Sequence, residues 1–142
     1  MVGATNELRE LARGIHPSVL TEGGLGPALD SLVSGCPVAA ELLAAPDGRL
    51  PQAVESAAYF TVAEALTNVV RYAGATRTTV SAVVAGEILS VEVIDDGCGG
   101  ADATLGSGLR GLADRIAALD GTLSVDSPPD AGTALRVEIP CA

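Results

Sequence analysis

Apolar residues recur at three- and four-residue spacings in four stretches of the chain and alternate with polar ones in five others. Leu8, Leu11, Ala12 and Ile15 predict a short helix over residues 7–15. Gly14 and the His16-Pro17 step end it, because a residue before proline avoids the helical region. Such a helix is too short to be stable alone, so its stripe docks on its own domain or belongs to the tail of a longer helix. Residues 21–24 read as a loop, and Leu25, Ala28, Leu29 and Leu32 predict a helix over 25–33, with Gly35 as its stop. A short strand follows over 37–43, then the turn Ala45-Pro46-Asp47-Gly48. Pro51 opens the longest helix, which runs to about Tyr72. Val54, Ala58, Val62, Ala65, Leu66 and Val69 form its apolar face.

Residues 77–85 and 88–94 are β-rich runs around Gly86-Glu87, a hairpin signal. A glycine-rich stretch from Asp95 to Gly111 leads to a helix over 109–119. Two last strands, 122–126 and 133–139, are joined by Pro128-Pro129-Asp130-Ala131-Gly132. In the second, Leu135, Val137 and Ile139 face one way, and Arg136 and Glu138 the other. The pattern predicts an α+β two-layer sandwich. A mixed, mostly antiparallel sheet of about five strands is covered on one face by about three helices. No internal repeat is present.

Composition narrows the picture. The 142 residues suit one domain with a real core, and 48% hydrophobic residues with a mean hydropathy of +0.40 exclude intrinsic disorder. Eight basic residues, all arginine, stand against 18 acidic ones, for a net charge of −10. That balance argues against a nucleic-acid or anionic-membrane binder, which needs a basic footprint. No apolar run approaches the roughly 18 to 20 residues of a membrane helix, and the N-terminus lacks the pattern of a signal peptide. Cys36, Cys98 and Cys141 are odd in number and widely spaced, which fits neither a disulfide framework nor a zinc site and points to a reducing compartment.

Three stretches could carry chemistry. Glu64 and Asn68 lie four apart on one helix face, which Arg71 and Tyr72 extend by a turn. Alone, these residues make either a solvent-facing polar stripe or a site where oxygen ligands hold Mg²⁺ and Arg71 meets phosphate. Asp95-Asp96-Gly97-Cys98-Gly99-Gly100 puts an acidic pair at the end of an apolar strand. It is either an ordinary glycine turn or a place where backbone approaches a ligand and a carboxylate accepts a hydrogen bond from an exocyclic amine, as on adenine. Gly106-Ser107-Gly108-Leu109 enters a helix, where free N–H groups and the helix dipole favour an anion. A Walker A loop is excluded, because the chain has no lysine.

In combination and in this order, the three stretches resemble the ATP-binding domain of the GHKL superfamily of gyrase, heat-shock-90-type chaperones, histidine kinases and MutL. Residues 64–68 resemble its N box, 95–99 its DxGxG box and 106–109 its second glycine box, with Gly132-Thr133 a further family element. Glu10-Leu11-Ala12-Arg13-Gly14-Ile15-His16-Pro17, Gly24-Leu25-Gly26-Pro27-Ala28-Leu29 and Gly108-Leu109-Arg110-Gly111-Leu112-Ala113-Asp114-Arg115 are similar to bacterial sensor histidine kinases acting on NarL-type response regulators.

The resemblance implies roles. Asn68 would ligate Mg²⁺, and Glu64 would orient or deprotonate the incoming nucleophile or a water. Arg71 would contact phosphate and Tyr72 line the nucleotide site. Asp95 would bind the adenine amino group, with Gly97 and Gly99 allowing close approach and Thr133 supporting the adenine side. Gly106 and Gly108, with Leu109, would cradle phosphate. Beyond Gly100 only Ala101–Leu105 lie between the glycine boxes, so the lid is short and lacks the aromatic box of longer lids. His16, the only histidine, is followed by proline at a helix end, whereas the family's phosphoacceptor sits early in a hairpin helix. It reads as a junction residue, with the acceptor on a hairpin outside this chain. Cys98 reads as a small filler in the DxGxG box.

Residues 1–20 are therefore expected to be the tail of the second hairpin helix and its junction, and 21–142 the ATP-binding catalytic domain. The expected activity is ATP- and Mg²⁺-dependent transfer of the γ-phosphoryl group to a histidine on that hairpin, with a NarL-type regulator downstream. The piece is expected to be cytoplasmic and monomeric, and to label itself poorly; any membrane attachment is left to the parent kinase. An anti-sigma-type serine kinase and a non-catalytic ATP-binding sensor are the rival readings.

Overall fold

The computed structural model describes residues 18–70, 75–97, 107–127 and 132–141. Within them the elements run α1 (Ser18–Gly23), α2 (Leu25–Ser34), β1 (Ala39–Ala44), α3 (Gln52–Asn68), β2 (Arg77–Ala85), β3 (Ile88–Asp95), α4 (Ser107–Ala117), β4 (Thr122–Asp126) and β5 (Thr133–Pro140). The strands form one sheet in the order β1-β2-β3-β5-β4. β1 pairs parallel with β2, and the other three pairings are antiparallel. The α+β sandwich with a five-stranded, mostly antiparallel sheet is the architecture that the residue pattern predicts.

Strand alternation decides which face the helices cover. Val80 and Ala82 of β2, Leu89, Val91 and Val93 of β3, and Leu135, Val137 and Ile139 of β5 are buried together with Val54, Ala58, Val62, Ala65 and Leu66 of α3 and Ile116 of α4. The opposite face is wet and carries the cross-strand ion pairs Arg77–Glu41 and Arg136–Glu92. Tyr59 aside, this core is built by branched aliphatic side chains and alanines.

Element directions follow from the pairings. β1 runs opposite to β3, so α3, which connects β1 to β2, runs along β3 and ends at the edge of the sheet where β3 ends. β4 runs with β3, so α4, which connects β3 to β4, runs the other way and begins at that same edge. Asn68, Asp95, Ser107, Thr133 and Arg77 therefore all lie at one end of the sandwich.

Four boundaries differ from the sequence reading. Residues 21–24 were expected as a loop, but a short helix spans Ser18–Gly23, and Leu20 is fully buried in the common core. Gly24, at φ 82°, then turns the chain into α2. β1 starts at Ala39 and not at Pro37. The long helix is α-helical only to Asn68, with Val69 and Val70 in a wider turn. α4 starts at Ser107 and ends at Ala117, two residues earlier at each end than periodicity suggested. The expected helix over 7–15 lies outside the described residues.

One buried carboxylate holds three segments together. Glu55, in the first turn of α3, is fully buried, a costly position for a charge unless it is paired. Arg49 grips it in a bidentate fork, Nε and Nη2 each 3.1 Å from a carboxylate oxygen, and the Leu50 N–H donates at 3.1 Å. The same guanidinium reaches the Thr21 carbonyl of α1 at 3.4 Å. A side chain at Gly24 would collide with it, since a Cβ there would stand 2.9 Å from Arg49 Cδ. Arg49→Met should lower the thermal midpoint, and adding Glu55→Gln should recover part of the loss by removing the stranded charge. Equal midpoints for wild type, single and double variants would show that the fork contributes nothing.

Candidate functional site

The end of α3 supplies the first part of the site. Val62, Ala65, Leu66 and Val69 turn into the core, which leaves Glu64 and Asn68 half-buried at its border on one stripe of the helix. Their side chains offer oxygen donors, a carboxylate and an amide. Thr67, between them, turns its hydroxyl back to the Ala63 carbonyl at 2.8 Å, so it does not join the stripe. The change to a wider turn directly after Asn68 is a feature often found at functional positions. Arg71 and Tyr72 lie outside the described residues.

The end of β3 supplies the second part. Asp95 is the last residue of the inward series Leu89, Val91, Val93, and only 8% of it is exposed. Its cross-strand neighbours are Thr78 on β2 and Thr133 on β5. Its Oδ1 accepts the Gly97 N–H at 2.8 Å, and the Thr133 N–H also donates to the carboxylate. Burial pushes the Asp95 carboxyl above its ordinary value, against the pull of the Gly97 N–H; the charge of Asp96 adds to the rise and the Thr133 N–H opposes it. The Thr133 hydroxyl is itself fixed, 2.6 Å from Ser127 Oγ.

Asp96 behaves in the opposite way. It points outward and accepts three hydrogen bonds, from Thr76 Oγ1 at 2.7 Å, the Thr76 N–H at 2.9 Å and the Arg77 N–H at 3.0 Å. The Thr76 hydroxyl and the Arg77 and Thr76 N–H groups hold its carboxyl below the usual range. Two adjacent carboxylates thus divide the work. Asp96 pins the chain that returns from α3 to β2, and Asp95 is left at the end of the core where β3 ends. The role of Asp96 is not legible in the sequence, because its partners are 19 and 20 residues away and no local pattern links them.

Gly132 closes this end of the sheet. Its φ is 76°, its N–H donates to the Gly97 carbonyl at 3.0 Å, and a Cβ would stand 2.3 Å from the Asp95 carbonyl oxygen. The glycine before Thr133 is required by this close approach. Ser107, Gly108 and Leu109 form the first turn of α4, whose N–H groups have no partner within the helix and lie at the same end as Asn68 and Asp95. Gly108 is thus inside the helix and not ahead of it, because the helix starts earlier than expected. Gly99 and Gly106 lie outside the described residues, as does the short stretch 101–105.

The described residues therefore bring Glu64, Asn68, Asp95, Gly97, Gly108, Leu109 and Thr133 to one end of the fold. Such an arrangement can hold an anion at a helix N-terminus, a hard cation on oxygen donors and an amine-bearing group on a carboxylate. Among the described residues no group of three or more histidine, cysteine, aspartate or glutamate side chains could hold a metal unaided, and no helix is long and apolar enough to cross a membrane.

A profile of the family described as histidine kinase-, DNA gyrase B- and HSP90-like ATPases matches residues 53–142. The sensor histidine kinase NarS of Mycobacterium tuberculosis is 33% identical over 149 residues, which cover 96% of this chain and 34% of that protein. The sensor histidine kinase MctS of Rhizobium johnstonii is 31% identical over 150 residues, with 97% and 32% covered. The histidine kinase domain of the blue-light activated kinase of Erythrobacter litoralis EL346 superposes with a TM-score of 0.66 at 25% identity, covering 83% of this chain and 59% of that one. The chain spans about a third of the length of the curated relatives it matches.

The raised Asp95 carboxyl has a consequence for stability. The folded chain holds this proton more tightly than the unfolded chain, so ionisation of Asp95 costs stability as pH rises through the carboxylate range. Asp95→Asn keeps an oxygen for the Gly97 and Thr133 N–H groups and removes that cost. The variant should melt above wild type at pH 7, and the gap should narrow as the pH falls below about 4. A wild type that melts higher than the variant at pH 7 would contradict this assignment.

Proposed function

Because the chain belongs to the histidine kinase-, DNA gyrase B- and HSP90-like ATPase family, we propose that it is the ATP-binding catalytic domain of a two-component sensor histidine kinase. It passes the γ-phosphoryl group to a histidine on a separate dimerisation hairpin. The observation that carries this reading is the meeting of three elements at one end of the sandwich: the Glu64–Asn68 stripe, the first turn of α4 and the buried Asp95.

In this reading Asp95 accepts a hydrogen bond from the adenine amino group, while Thr133 steadies that side of the base. Gly97 and Gly99 leave the backbone open for close approach. The N–H groups around Gly106, Gly108 and Leu109 meet phosphate oxygens at the start of α4. Arg71 adds a guanidinium to the phosphates, and Tyr72 lines the nucleotide site. The side-chain amide of half-buried Asn68 offers a hard oxygen donor, which suits Mg²⁺ held jointly by protein and phosphates. Mg²⁺, when bound, supplies neutralisation of the phosphate charge. Glu64 orients the incoming imidazole and receives its proton. Positioning accounts for most of the acceleration, as is general for phosphoryl transfer.

Residues 1–20 join the hairpin to this domain, with Leu20 as the anchor in its core, and residues 21–142 form the catalytic unit. The domain works in the cytoplasm as a monomer on its own. A NarL-type response regulator receives the phosphoryl group; the similarity to NarS over 96% of the chain supports that choice. Mixed with γ-labelled ATP, Mg²⁺ and the parent's hairpin in trans, the chain should label the hairpin histidine and not itself. Asn68→Ala and Glu64→Gln should each slow the transfer by about 100-fold or more. Label on the isolated chain that disappears in His16→Ala would overturn the assignment of the acceptor to the hairpin.

A further inference from the structure

Phe60, the only phenylalanine of the chain, lies on the same stripe of α3 as Glu64 and Asn68, four and eight residues before them. Its ring packs half-buried against the core, with the Tyr59 ring edge-on to it at 6.0 Å. Over the ring sits the guanidinium of Arg115, from the last turn of α4, 4.1 Å from the ring centroid. This is a cation–π contact between the helix that carries the Glu64–Asn68 stripe and the helix whose first turn faces phosphate in the proposed function.

The register of the two antiparallel helices gives the contact a consequence. Asn68 lies eight residues beyond Phe60, and Ser107 eight residues before Arg115. Both spans are about 12 Å of helix, so fixing Arg115 on Phe60 sets the first turn of α4 level with Asn68. The nonpolar contacts of Leu112 and Ile116 hold α4 on the core but tolerate sliding, whereas a planar guanidinium on a ring face has a defined place. α4 runs unbroken from Ser107 to Ala117, so a shift at Arg115 carries through the helix to its first turn.

We propose that Arg115 and Phe60 are positioning residues, a register lock that sets the distance between the Asn68 stripe and the phosphate-facing N–H groups of α4. This rests on the nucleotide site proposed above. The lock acts on the phosphates and not on the base, since Asp95 and Thr133 are placed by the pairing of β3 with β5 and by the backbone bonds of Gly97 and Gly132.

The test measures affinity for adenosine and for a non-hydrolysable ATP analogue with Mg²⁺ on wild type, Arg115→Gln, Arg115→Lys and Phe60→Leu, with a melting curve for each. Arg115→Gln and Phe60→Leu should each weaken the ATP analogue by about tenfold while adenosine binds as before, and Arg115→Lys, which keeps a cation on the ring but not the planar stack, should recover only part of the loss. Equal losses for adenosine and the ATP analogue would assign the pair a general structural role and overturn the proposal. So would a loss in Arg115→Gln without one in Phe60→Leu, which would mean that Arg115 acts on phosphate directly. A wild type that binds the ATP analogue no better than adenosine would overturn the phosphate site itself, a result distinct from unequal variants on a working site.

Discussion

Asp95 sits where β3 leaves the hydrophobic core, on the face that Leu89, Val91 and Val93 line with hydrocarbon. A carboxylate there raises the energy of the empty fold, and much of the local structure follows from accommodating it. The Gly97 and Thr133 N–H groups turn toward it, Gly132 adopts a conformation open to glycine so that the backbone can close behind it, and Thr78 and Thr133 flank it. An amide in its place would keep an oxygen for those N–H groups without the cost of the charge. A group retained against the interest of the fold is what a ligand-reading position looks like.

The neighbouring Asp96 shows what the same side chain does when structure is its task. It faces outward, takes three donors from Thr76 and Arg77, and binds the return from α3 into β2 to the end of β3. Asp96 thus connects the strand that carries Asp95 to the segment that follows Asn68. Burial separates their roles: one carboxyl is pushed up by lost hydration, and the other is held down by hydrogen bonds.

The net charge of −10 sits poorly with a polyanionic ligand such as ATP. Local groups resolve the conflict in the proposed function. Helix N–H groups and a metal on Asn68 carry the phosphates, so no basic surface is required and the missing lysine costs nothing. Four of the arginines among the described residues are occupied elsewhere: Arg49 on Glu55, Arg77 on Glu41, Arg136 on Glu92 and Arg115 on Phe60.

Alternation in β2, β3 and β5 and the three-four spacing in α3 made the sheet, the long helix and the covered face legible from residues alone, because one-sided burial leaves a periodic trace. The acidic pair and the Glu64–Asn68 stripe were legible for the same reason, as polar breaks in apolar patterns. Helix α1 was not, since two turns around Leu20 carry too little periodicity and are held by Arg49 from a distant loop. The fork on Glu55, the clasp on Asp96 and the contact of Arg115 with Phe60 join residues that no spacing rule connects. The account stands or falls on Asp95 as the residue that reads an amine. Titration calorimetry with Mg²⁺ and non-hydrolysable ATP and GTP analogues tests it on wild type and Asp95→Ala. The account predicts a clear preference for the adenine analogue in wild type and a loss of about tenfold or more in the variant, which no longer distinguishes the bases. Equal binding of both nucleotides by wild type, or an unchanged preference in the variant, would contradict it.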